Sequence, residues 1–109
     1  MIRSVLYLQP REGHGEDIAE FYRRHHVLER ACEQEGCLGA ELQVPASGDG
    51  PLLVTALWRD ADAYQGWLDN PLRISNGDEL AALVADFDGG VRGDLYEVAV
   101  EAVPAGGGS

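Results

Sequence analysis

Two stretches of this chain are almost unbroken in apolar character: Val5, Leu6, Tyr7 and Leu8 near the start, and LLVTALW from Leu52 to Trp58. Short apolar runs of that kind fit strands that are buried on both faces. A sheet containing them needs cover on both sides, and 109 residues supply only one domain's worth of chain. The neighbouring patterns say what one side receives. Ile18, Phe21, Tyr22, His25, Leu28 and Cys32 fall on one stripe at helical period, so 15–35 reads as a helix with Gly36 as its C-terminal cap. Cys37 to Val44 alternates apolar and polar residues, as a half-exposed strand does.

After Trp58, Asp60 is placed to cap a helix whose apolar face is Ala63, Tyr64, Trp67 and Leu68. Pro71 ends it, because the residue before proline avoids helical geometry. A shorter helix is expected over 78–87, with Leu80, Leu83, Val84 and Phe87 inward, followed by a glycine loop and a last strand over 94–103. Residues 104–109 form a flexible glycine-rich tail, leaving 1–103 as the domain. The order β-α-β-β-α-(α)-β is the ferredoxin-like, α+β pattern, an antiparallel sheet with helices on one face. The uncovered face would then be a large apolar patch, which monomers avoid. A second copy in a two-fold homodimer is the simplest cover.

Charge excludes several functions. Nineteen acidic residues against eight basic ones give a net charge of -11, which disfavours nucleic acid and anionic membranes. All eight basic residues are Arg, so no lysine Schiff base is available. No run approaches the roughly 18 apolar residues of a membrane span, and the expected location is the cytoplasm. There Cys32 and Cys37 are expected as reduced thiols and small core fillers, since C-x4-C without a second pair is a poor zinc pattern.

The segments EGHGEDIAEFYRRHH, EQEGCLGAELQ and VTALWRDADAYQGWLDNPL resemble the antibiotic biosynthesis monooxygenase family of dimeric α/β barrels, over about residues 1–103. The resemblance implies a cofactor-independent monooxygenase acting with O2 on a phenolic, quinol or anthrone-like small molecule. In anthrone-type members a Trp ends strand three and a Tyr follows six residues later, matching Trp58 and Tyr64. The Asn expected four residues before that Trp is Val54 here, and the Arg of the later helical region is absent. The haem-degrading branch is matched by FYRRHH and Trp67, but Leu6 and Gly77 stand where it has an Asn and a haem-ligating His. Haem binding and a non-catalytic dimeric ligand-binding module are therefore the alternatives, alongside lactone isomerisation and polyketide cyclisation.

Such a site needs an aromatic pocket with a few polar groups that stabilise a substrate anion and keep water out. His25, Tyr64 and Trp67 are the expected catalytic residues, with His25 or a tyrosine hydroxyl as proton acceptor, because imidazole titrates near neutral pH. Tyr22, Trp58 and Asn76 are the expected substrate contacts. His14 and His26 lie off the apolar stripe and are expected in solvent, and no metal site is expected.

Overall fold

A computed structural model describes residues 1–74, 77–85 and 93–105. The elements are β1 (Ile2–Leu8), α1 (Gly15–Arg24), α2 (Val27–Cys32), β2 (Cys37–Gln43), β3 (Leu52–Trp58), α3 (Ala61–Leu68), a 3-10 turn (Pro71–Ile74), α4 (Gly77–Ala81) and β4 (Gly93–Glu97). The four strands make one antiparallel sheet in the order β2-β3-β1-β4, the ferredoxin-like arrangement expected from the sequence.

Alternation assigns the two faces. Ile2, Ser4, Leu6 and Leu8 of β1, with Leu52, Val54, Ala56 and Trp58 of β3, point to the helices, and Leu8, Leu52 and Trp58 are almost wholly buried there. The helical side holds two core clusters. One joins Leu8, Ile18, Phe21, Tyr22, Leu52 and Val84, and the other joins Ala31, Ala56, Trp58, Ala63 and Trp67. The opposite face is less apolar than the two runs suggest. It carries Val5, Leu53 and Leu57, but also Arg3, Thr55, Glu41 and Gln43, and Gln43 Nε2 donates to Thr55 Oγ1 at 2.8 Å.

The first helix is not continuous over 15–35. His25 caps α1, its backbone N–H donating to the Phe21 carbonyl at 3.0 Å. His26 then adopts a left-handed conformation, φ 52 and ψ 42, which histidine tolerates better than most side chains. The break shifts the buried phase, so that Ala31 rather than Cys32 turns inward and Cys32 is exposed. Gly36 does not cap this segment: α2 ends at Cys32 with Glu33 as its C-cap, and Gly36, with φ 87, sits in the turn that the Cys37 N–H closes on the Gln34 carbonyl at 3.1 Å.

The last strand is also shorter than 94–103. β4 pairs only with β1, whose first residue is Ile2, and a single further bond runs from Val98 N–H to the Met1 carbonyl. Beyond that point no strand among the described residues is there to pair with, and Val100 and Val103 are 90% and 77% exposed. The expected helix over 78–87 is only the short α4, after which Val84 forms an isolated bridge with Pro10. Leu80 and Leu83 still pack on the core as expected. Phe87, the loop glycines Gly89 and Gly90, and tail residues 106–109 lie outside the described residues.

Candidate functional site

The two core clusters do not meet completely. Between them lies a cavity of about 380 Å³, a size that suits a small organic ligand. It exists partly because Ala31, Ala40 and Ala56 stand where larger side chains would fill the space. Most of the wall is aliphatic, and an aromatic set stands within it: Phe21 and Tyr22 from α1, Trp58 from the end of β3, and Tyr64 and Trp67 from α3.

Each wall residue is held by its own element. The Asp60 carboxylate accepts from the Ala63 N–H at 2.9 Å and starts α3, as the sequence indicates. Tyr64 and Trp67, three residues apart, then share the helix face toward the sheet. The Trp58 indole N–H donates to Ser4 Oγ at 3.0 Å, which fixes the ring, and its centroid lies 5.6 Å from that of Tyr64. Tyr22 packs edge-on against Phe21 at 5.8 Å.

Polar groups are few. Burial pushes the Tyr22 phenol up to about 12, while the Arg73 guanidinium pulls against that rise. Tyr22 is therefore a neutral hydrogen-bond donor across the ordinary pH range. Arg73, on the 3-10 turn, and Asp78, on α4, also line the cavity. The sequence reading found no arginine for this region, and the structure supplies one in Arg73. Its signal was weak, because a lone Arg just after a helix-ending proline looks like solvated surface. Ser4, Ala56 and Asp78 were missed as well. An alanine inside LLVTALW was the available hint, since such a strand rarely leaves space without use.

His25 stands apart. It is not among the described residues lining the cavity. Its ring packs on Phe21 at 4.7 Å, its Nε2 contacts Glu79 of α4, and its side chain is 24% exposed. Arg24 Nη2 donates to the other Glu79 oxygen at 2.5 Å. The pair ties the end of α1 to α4, which forms part of the cavity wall. His14 and His26 are engaged by Asp17 at 2.8 Å and Glu29 at 2.9 Å, on the surface as expected. Asn76, expected as a substrate contact, lies outside the described residues. Among the described residues no group of three or more His, Cys, Asp or Glu could hold a metal ion. No described imidazole or thiol lines the cavity, so among the described residues a haem ligated from inside it would have to take a phenol oxygen of Tyr22 or Tyr64. No helix among them is long and apolar enough to cross a membrane.

The family model described as antibiotic biosynthesis monooxygenase matches residues 1–73. Among solved structures, a Deinococcus radiodurans protein described provisionally as an antibiotic biosynthesis monooxygenase is 25% identical, with a TM-score of 0.74, covering 98% of this chain and 100% of its own. SnoaB, a cofactor-independent oxygenase from Streptomyces nogalater, is 19% identical with a TM-score of 0.70, covering 94% and 96%. The heme-degrader MhuD from Mycobacterium tuberculosis, with two hemes bound in its active site, is 20% identical with a TM-score of 0.74, covering 94% and 100%. No curated protein sequence matches the chain.

Proposed function

This chain belongs to the antibiotic biosynthesis monooxygenase family, and from that premise we propose that its cavity oxidises an anthrone-like, phenolic or quinol-type aromatic with O2 and without a cofactor. The observation that carries the reading is the cavity itself: an apolar wall with five aromatic side chains, a buried neutral phenol at Tyr22, one cation and one carboxylate. The fold is shared by an oxygenase that needs no cofactor and by a heme-degrader, and a lining without a described imidazole or thiol favours the first.

An anthrone-like substrate supplies its own electrons. Its activated methylene loses a proton to the Asp78 carboxylate, and the resulting enolate oxygen is held by the Tyr22 hydroxyl and the Arg73 charge. The anion gives one electron to O2, and the carbon radical and superoxide combine within the cavity. The peroxide regains the proton, the O–O bond breaks, and water leaves with the second methylene hydrogen. The methylene plus O2 has become a ketone plus water. Trp58, Tyr64 and Trp67 orient the ring and exclude solvent. His25 acts from outside by holding Glu79, and so the wall formed by α4.

Oxygen uptake by metal-free protein with a panel of anthrones and hydroquinones tests this. Uptake above the buffer rate, lost in Trp67→Ala, is expected. Uptake at the buffer rate across the panel, together with a Soret shift on adding hemin at one equivalent per chain, would replace this reading with haem chemistry.

The same reading takes the protein to be a homodimer whose partner is a second copy, with a small aromatic and O2 as the other ligands. Three features support it. Val5, Leu53 and Leu57 lie on the face without helices. Gln43 Oε1 is buried there with no hydrogen-bond partner. Val100 and Val103 extend bare beyond the end of β1. Light scattering at micromolar concentration should report twice the 11.8 kDa chain mass; a species of one chain only would remove the dimer.

A further inference from the structure

Cys32 closes α2 and Cys37 opens β2, and their Sγ atoms lie 3.4 Å apart. The Cys37 thiol donates toward Cys32. A disulfide holds its sulfurs at about 2.05 Å, so the pair must close by about 1.4 Å from its 3.4 Å separation. The segment between them is a turn that leads into an irregular strand start. Gly36 has φ 87, and the β2 register shifts between Cys37 and Gly39. Cys32 is exposed and Cys37 half-buried, which gives an oxidant access to one sulfur and places the second within reach behind it.

We propose that Cys32 and Cys37 are a redox-modification site, converting between a dithiol and an intramolecular disulfide beside the cavity. This goes beyond the oxygenase reading and does not depend on it. The oxidant is a low-molecular-weight disulfide. The Cys32 thiolate attacks it, forming a mixed disulfide and releasing one thiol. Cys37 then attacks Cys32 Sγ, the Cys32–Cys37 bond forms, and the second thiol leaves. Two electrons pass to the oxidant's S–S bond, and the two thiol protons end on the two released thiols. Although the residue is exposed, partial shielding of its sulfur from water, then the Cys37 hydrogen bond, hold the Cys32 thiol up at about 11. The first step is therefore slow at neutral pH and rises about tenfold per pH unit below that value.

The disulfide would be felt in the cavity. Cys37 pairs with Trp58 across the sheet and packs on the cluster containing Trp58 and Trp67. These are the chain's two tryptophans, so intrinsic emission reports on this region alone.

The test uses the full reduced chain with oxidised glutathione as the probe, followed by intact mass, thiol counting after denaturation, and tryptophan emission. The expected product has lost two hydrogens and both free thiols, carries no glutathione, is not cross-linked to another chain, and has altered emission that dithiothreitol restores. Cys37→Ser should hold one glutathione on Cys32, and Cys32→Ser should react at least tenfold more slowly. Two separate adducts, chain-to-chain cross-links or retention of both thiols would overturn the site. A disulfide that leaves emission unchanged would overturn its link to the cavity.

Discussion

Replacing Gly36 with alanine should destabilise the protein by about 2–5 kcal/mol. A Cβ built at Gly36 lies 2.5 Å from Ala63 Cβ and 3.6 Å from the Arg59 guanidinium. The guanidinium contact is ordinary, but Ala63 is buried on α3 and cannot yield, and the Arg59 backbone N–H, donating to the Gly36 carbonyl at 2.8 Å, holds the turn against the start of that helix. Two effects add. A side chain at φ 87 costs about 1–2 kcal/mol in the left-handed region. Overpacking against α3 costs about 1–3 kcal/mol more. Urea unfolding followed by tryptophan emission measures the total, and a double-mutant cycle with Ala63→Gly separates the parts. Ala63→Gly removes the colliding methyl, so Gly36→Ala should cost only about 1–2 kcal/mol in that background. Equal losses in both backgrounds, or a loss below about 0.5 kcal/mol in the parent, would refute the contact between this turn and the helix bearing Tyr64 and Trp67.

Other expectations are briefer. Leu8→Ala, at a fully buried site in the larger cluster, should cost about 2–5 kcal/mol in the same urea assay. Ala56→Leu should fill the cavity, raising KM at least tenfold while stability changes by no more than about 1 kcal/mol, because the added methylenes enter space rather than packed neighbours. Tyr22 has a folded pKa of about 12 against 10.0 for the free side chain, so the folded state keeps its proton longer than the unfolded one. The stability this provides is complete below pH 10 and falls by roughly 2–3 kcal/mol as the pH rises through 12. Urea midpoints between pH 9 and 12 should fall more steeply in the parent than in Tyr22→Phe, which keeps only the loss shared through Tyr7 and Cys32, whose pKa values are also raised.

Much of the architecture was legible because period and turn chemistry agree. β3 ends at Trp58 and α3 begins after Asp60, as the sequence pattern indicates, whereas the helix expected to run to Gly36 stops at Cys32 with Glu33 as its cap. The failures have local causes. The stripe through His25, Leu28 and Cys32 is helical in spacing, but one left-handed residue, His26, resets its phase. The apolar alternation from Val98 to Val103 says strand, but pairing needs a neighbour, and β1 ends first. The aromatic half of the site, Tyr22, Trp58, Tyr64 and Trp67, could be read from residue type and face. The polar half could not. Tyr22 becomes a neutral donor through burial, and Arg73 and Asp78 reach the cavity only through the turn that follows Pro71. His25 looked like a cavity base because it shares the stripe, yet it caps α1 and faces Glu79.

The most direct test of cofactor-free oxygenation is a single-turnover reaction of chelator-treated protein with an anthrone under labelled dioxygen, read by mass spectrometry. One heavy oxygen in the product ketone and the other in water is the expected result, with the rate reduced in Tyr22→Phe. Ketone that carries only solvent oxygen, or turnover that returns only when metal or haem is added back, would contradict it.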